Sequence, residues 1–99
     1  MDRKATIPLG DAQARAIFSG TVQGVGFRYT AARAASRFRV AGYVRNLSDG
    51  TVELVAEGAR DEVQALLDAI REQMSEYVTD CQTTWGPAAG QYTGFRIGY

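Results

Sequence analysis

The stretch Ala14-Arg15-Ala16-Ile17-Phe18-Ser19-Gly20-Thr21-Val22-Gln23-Gly24-Val25-Gly26-Phe27-Arg28 decides the fold, together with the helical pattern that follows it. Ala14 to Gly20 carries Ile17 and Phe18 on opposite faces and runs into glycines, which predicts a central strand covered at least partly on both sides. Gly20, Gly24 and Gly26 can adopt backbone angles closed to other residues, so the loop can turn consecutive N–H groups toward one point. From Phe27 to Phe38, the residues Phe27, Ala31, Ala34, Ala35 and Phe38 recur at helical spacing with Arg33, Ser36 and Arg37 opposite, an amphipathic helix. A glycine loop that feeds a helix N-terminus favours an anion, because the free N–H groups and partial positive charge of the helix add to those of the loop.

Working outward, Val40 to Asn46 and Val52 to Glu57 alternate in hydrophobicity around Leu47-Ser48-Asp49-Gly50. Asp-Gly supplies the positive φ of a tight turn, so these runs read as a hairpin. After Gly58, Val63, Leu66, Leu67, Ile70 and Met74 mark a second helix with Asp61 and Glu62 in its first turn, where the helix dipole favours negative charge. Tyr77 to Trp85 suits a strand stopped by Gly86 and Pro87, the segment to Gly94 is turn-rich, and Phe95, Ile97 and Tyr99 alternate in a short final strand. Met1 to Gln13 mixes charges with Pro8 and Gly10 without periodicity and reads as a flexible N-terminal extension, leaving residues 14–99 as one domain. The order β-α-β-β-α-β plus a short terminal strand is the ferredoxin-like split βαβ pattern, an α+β fold with an antiparallel sheet and two helices on one face. There the first two strands run parallel and the third inserts as an antiparallel neighbour, so the C-terminal ends of strands one and two share one edge. The glycine loop, the start of the first helix and Asn46 are expected on that side.

Composition narrows the chemistry. The chain has 99 residues, no histidine and one cysteine, Cys81. Ser-His-Asp and Cys-His nucleophilic sites are excluded, as is an internal disulfide, and zinc and iron–sulfur ligand sets are almost empty. No metal or cofactor is expected. A chain of this size buries roughly 60 to 70% of the surface that its unfolded form exposes, enough for a modest core without staples. Eleven basic and eleven acidic side chains cancel, which argues against nucleic acid, since phosphate-backbone binding needs a local excess of Lys and Arg. Ten of the basic residues are arginines, so anion chemistry would use the planar guanidinium. No run approaches the roughly 20 apolar residues of a membrane span, and the N-terminus lacks an apolar signal core; a cytoplasmic protein is expected.

Arg28 is the informative residue of the loop. A cation in the first turn of a helix opposes the macrodipole at about 0.3 to 1 kcal/mol. A bound dianion would reverse the sign; the alternative is an arginine reaching out to solvent. Asn46 is equally double-edged. It can cap the turn that follows it, while its parity with Val44 points it toward the helix-covered face at the edge where Arg28 sits. Neither known phosphate-loop pattern fits: the Walker form ends in Gly-Lys-Ser/Thr, and the dinucleotide fingerprint needs a small residue where Tyr29 stands.

Two stretches carry a resemblance. Gly20-x-Val22-Gln23-Gly24-Val25-Gly26-Phe27-Arg28 and Gly42-Tyr43-Val44-Arg45-Asn46-Leu47-x-Asp49-Gly50-x-Val52-Glu53 are similar to the signature stretches of the acylphosphatase family. The resemblance covers Ala14 to Gly58 in detail and the second helix and Gly94 to Ile97 in outline; the segment 75–94 and the long N-terminal extension depart from the family's pattern. It implies hydrolysis of the carboxyl–phosphate bond of acyl phosphates to a carboxylate and inorganic phosphate. The phosphoryl group would be held by Arg28 and the amides of Val22, Gln23, Gly24, Val25, Gly26 and Phe27, and the attacking water placed by Asn46. The partner is then a small-molecule acyl phosphate, with inorganic phosphate as product or inhibitor, on a monomer that touches neither nucleic acid nor membrane. The absence of catalytic bases agrees, because an acyl phosphate brings a good leaving group and its hydrolysis needs positioning and charge neutralisation above all.

Other candidates read as structural. Asp68 and Glu72 lie one turn apart on what should be a solvated helix face, and Cys81 reads as a small packing residue. Tyr29, Tyr43, Tyr92 and Trp85 lack the sequence pattern of an RNA-stacking sheet. A non-catalytic anion- or ligand-binding module on the same fold is the alternative from another class. An acylphosphatase-like domain serving carbamoyl-phosphate chemistry, as in hydrogenase maturation proteins, is disfavoured by the short chain.

Overall fold

In the computed structural model, which describes residues 11–98, the chain forms β1 (Asp11–Gly20), α1 (Phe27–Ala35), β2 (Ala41–Asn46), β3 (Val52–Ala59), α2 (Arg60–Gln73), β4 (Val78–Pro87) and β5 (Phe95–Ile97). The strands make one sheet in the order β4-β1-β3-β2-β5. β1 pairs antiparallel with β3 and β4, and β2 antiparallel with β3. β1 and β2 therefore point the same way with β3 between them, as the split βαβ pattern requires. The sheet is not wholly antiparallel, however. β5 adds to β2 in parallel, with Gly42 opposite Phe95 and Val44 opposite Ile97. The connection from Pro87 to Phe95 carries the chain from one edge strand, β4, to the other edge beside β2, so β5 enters in the direction of its neighbour.

The alternation of the central strands separates two faces. Ala14, Ala16 and Phe18 of β1, Val44 of β2, and Val52, Leu54 and Ala56 of β3 are buried with Phe27, Ala31, Ala34 and Ala35 of α1 and Val63, Leu66, Leu67 and Ile70 of α2. That is the core under both helices. The opposite face carries Arg15, Glu53, Glu57, Tyr43 and Arg45, where period-2 strands must place their other residues.

Boundaries shift where local chemistry overrides pattern. β1 starts at Asp11, so the expected extension 1–13 gives up its last three residues: Asp11, Ala12 and Gln13 pair with Ala59, Gly58 and Glu57, and Gln13 Nε2 donates to Glu57 at 2.7 Å. Polar side chains on an outer face hid this extension of the strand. The expectation for residues 1–10 lies outside the described residues. α1 ends at Ala35 rather than Phe38. Ser36 Oγ donates to Arg33 O at 2.6 Å, and the N–H groups of Arg37 and Phe38 bond three residues back, to Ala34 and Ala35, tightening the last turn. β4 runs through Gly86 and Pro87, which an edge strand tolerates because it need not donate outward there; Tyr77, expected in the strand, instead donates to Met74 O in the turn after α2. Among the described residues no helix is long and apolar enough to cross a membrane.

Candidate active site

The loop between β1 and α1 is shaped by its glycines for two different reasons. At Gly20 the pairing of β1 with β4 slips, Ser19 facing Asp80 but Gly20 facing Val78, and a Cβ there would stand 2.2 Å from Tyr77 O. No side chain fits, and Thr21 N donates to that same carbonyl at 2.9 Å. Gly24 and Gly26 have open space around them but φ of 80° and 78°, the left-handed region that costs other residues about 1 kcal/mol or more. Gly26 is the N-cap of α1 and accepts from Thr30 N at 3.0 Å.

Side chains then tie the loop down. Val22 and Phe27 are buried, and the Phe27 ring lies 5.0 Å from that of Phe18. Val25 packs against the core from its edge. Gln23 Nε2 donates to Leu47 O at 2.7 Å and Thr51 O at 2.9 Å, clamping the loop to the turn that begins one residue after Asn46. With the loop held from three sides, the backbone N–H groups of Val22 to Phe27 find no protein acceptor among the described residues.

These elements enclose a cavity of about 110 Å³ lined by Val22, Gly24, Gly26, Phe27, Arg28, Tyr29, Asn46 and Ile97. One water occupies about 30 Å³ of liquid, so the space suits a group the size of a phosphoryl and not a whole drug-sized ligand, for which about 300 Å³ or more is usual. Arg28 and Asn46, singled out separately from sequence, meet here. Of the six loop residues, Val22, Gly24, Gly26 and Phe27 line the cavity, whereas Gln23 and Val25 turn their side chains away to the anchoring contacts above. Arg28 Nη1 donates to Gly98 O at 3.1 Å, so the far end of the chain helps set the guanidinium. No acidic residue lies in the first turn of α1, and among the described residues none lines the cavity. A cation, a helix N-terminus and unpaired amides thus act together in favour of an anion. Tyr29 and Ile97 were not expected as neighbours of the site. Ile97 arrives through the parallel β2–β5 pairing, which leaves no local signal.

Elsewhere, the two buried carboxylates among the described residues, Glu53 and Glu57, are engaged by protein donors. Glu53, 3% exposed, receives Arg15 Nε at 2.6 Å, Arg45 Nε at 2.7 Å and Tyr43 Oη at 3.2 Å. Burial disfavours its charge, but the hydrogen bonds from Arg45 and Arg15 outweigh that and hold its carboxyl below the ordinary value. Burial, and then the neighbouring Glu53 carboxylate, pushes the Tyr43 hydroxyl up. Glu57 accepts from Gln13 and from the amides of Ala89 and Gly90, fastening the connection to β5. Asp68 and Glu72 border an open groove with Arg71 and Cys81, and Asp68 is engaged by Gln64 at 3.0 Å. Cys81 packs at the margin of the core, and burial pushes its thiol up, the reverse of an activated nucleophile. The aromatics do not gather into a platform: Tyr43 stacks on Tyr92 at 5.9 Å, Trp85 lies under Arg60 at 4.2 Å, and Tyr29 stands apart at the cavity.

Comparison with known proteins shows the family and the fold. The acylphosphatase family model matches residues 14–97. An acylphosphatase of Salinibacter ruber is 44% identical over 80 residues, 80% of this chain and 84% of that protein, and one of Anaeromyxobacter sp. is 42% identical over 87 residues, 87% of this chain and 94% of that protein. The crystal structure of acylphosphatase from Bacillus subtilis matches with a TM-score of 0.80 at 35% identity, over 89% of this chain and 99% of that one. With a matched family model that reaches from the middle of β1 to the last residue of β5, and the expected fold around it, the chain belongs to the acylphosphatase family, enzymes that hydrolyse the carboxyl–phosphate bond of acyl phosphates.

Proposed function

We propose that Arg28 and the amides of Val22 to Phe27 hold the phosphoryl group of the substrate while Asn46 positions the attacking water. The observation that carries this reading is that Arg28 of α1 and Asn46 of β2 line the same phosphoryl-sized cavity beneath the glycine loop.

The substrate enters with two negative charges on its phosphoryl oxygens. Arg28, whose Nη1 donates to Gly98 O, brings a guanidinium charge to the phosphoryl group, and the loop amides offer their donors without reorganisation. Asn46 accepts one hydrogen from water through its side-chain oxygen and donates to a phosphoryl oxygen through its nitrogen. It cannot remove a proton near neutral pH. The water oxygen forms a bond to phosphorus as the bond from phosphorus to the acyl oxygen breaks, and the electron pair leaves on the carboxylate. The water's proton passes to a phosphoryl oxygen. A dianionic acyl phosphate and water thereby become a carboxylate and dihydrogen phosphate, with charge conserved. As the loose transition state spreads charge over the equatorial oxygens, the ring of donors gains in strength where the barrier lies.

Inorganic phosphate shares the recognised end of the substrate and is expected to compete with it. A chelator is expected to leave turnover unchanged. We take the working unit to be a monomer acting in the cytoplasm. The decisive test is release of phosphate from benzoyl or acetyl phosphate by the pure protein; absence of turnover would favour a non-catalytic anion-binding module.

A further inference from the structure

We infer that Tyr29 is a specificity residue that receives the acyl group, giving this enzyme a preference for acyl phosphates with aromatic or bulky apolar acyl chains. This rests on the proposed placement of the phosphoryl group. Among the described residues Tyr29 is the large apolar side chain that the fold leaves exposed, at 73%, while it also lines the cavity. A residue that does both stands where the cavity opens to solvent. The remaining apolar lining divides by burial: Val22 and Phe27 are each 1% exposed and form the floor, whereas Ile97 keeps part of its surface.

Size then places the acyl group. With about 110 Å³ available, a phosphoryl group held against the loop amides leaves no enclosed room for a benzoyl ring, so the acyl end must lie at the mouth. The rim it meets there includes Tyr29 and Ile97. Among the described residues no ring packs on Tyr29, whereas Tyr43 meets Tyr92 on the far face of the sheet. An aromatic acyl group covering the Tyr29 ring removes apolar surface from water and gains an aromatic pair. An acetyl group is too small to do either to the same extent.

The test compares kcat/KM for benzoyl and acetyl phosphate in the wild type, Y29A, Y29F and R28A, with the inhibition constant of inorganic phosphate for each active protein. Y29A should lower the benzoyl-to-acetyl ratio of kcat/KM about fivefold, Y29F should restore it because the ring remains, and the phosphate constant should stay within about twofold, since phosphate has no acyl end. An unchanged ratio in Y29A overturns the inference. So does a phosphate constant that weakens by the same factor as the benzoyl term, which would place Tyr29 on the phosphoryl group instead. R28A separates the two levels of argument: it should lose both substrates together, and its retention of both would overturn the phosphoryl placement itself.

Discussion

The two helices of this protein start in opposite electrostatic ways. Neither has a side-chain cap. α2 opens with Asp61 and Glu62, which answer the positive end of its dipole and place Arg71 near the other end. α1 opens with no acidic residue and with Arg28 in the first turn, adding a cation to a positive end. Both helices bury the same kind of apolar stripe, so packing does not account for the difference. At α2 the protein supplies its own negative charge and gains stability from it. At α1 the first turn supplies none, and under the proposed function the substrate phosphoryl group brings one. The sheet face repeats the α2 solution, for there Glu53 serves Arg15 and Arg45 internally.

The comparison breaks most readily at Arg28. R28A should lower kcat/KM for benzoyl phosphate about a thousandfold, roughly 4 kcal/mol of transition-state stabilisation, and abolish inhibition by phosphate; R28K should recover only part of it, because an ammonium lacks the guanidinium fork. N46A should lower kcat about a hundredfold while the phosphate inhibition constant moves by no more than about twofold, as expected for loss of positioning without loss of anion binding. If the two variants lose phosphate affinity equally, the assigned division of labour fails.

Removing a charge that the protein supplies to itself should do the reverse. E53A should cost about 2 kcal/mol of stability by urea denaturation with kcat nearly unchanged, less than the 3–5 kcal/mol of a fully buried pair, because the Arg15 and Arg45 side chains are about half exposed and can be hydrated. The pH dependence has a definite sign. The folded Glu53 carboxyl lies below its ordinary value, so its contribution is complete above the ordinary glutamate range and lost as pH falls through the lower folded value. Thermal unfolding followed downward from neutral pH should therefore show the gap between wild type and E53Q closing in acid, with Glu57 retaining part of the acid sensitivity in both. G26A should lower the melting temperature by about 4–8 °C, the equivalent of about 1 kcal/mol for forcing alanine to positive φ, and reduce turnover besides. Smallest is D61N, which should cost about 0.3–1 kcal/mol, diminishing in salt, with no change in kcat.

The arrangement around the loop was legible because its signals are local. Glycines before an apolar helical stripe, an out-of-place Arg28, and the parity of Asn46 with Val44 each stand within a few residues of what they position, and strand order brings them to one edge. What could not be read depends on distant pairing. The β2–β5 register that brings in Ile97 joins short segments through a turn-rich connection, and the anchoring of that connection by Glu57 links residues far apart in sequence. The early start of β1 was masked by polar outer-face residues, whose partner Glu57 gives no local sign. Gln23 shows a subtler limit: its backbone could be assigned to the loop, but its side chain reaches across to Leu47 and Thr51, a contact that only the folded hairpin defines.

The bond from Arg28 to the carbonyl of Gly98 spans 70 positions. A chain made from its N-terminus at about 5–20 residues per second presents Arg28 seconds before Gly98 has been synthesised. The nine-residue α1 is too short to be stable alone, and its loop leans on Leu47, Thr51 and Tyr77, so the cavity assembles only when strands from both ends of the chain have come together.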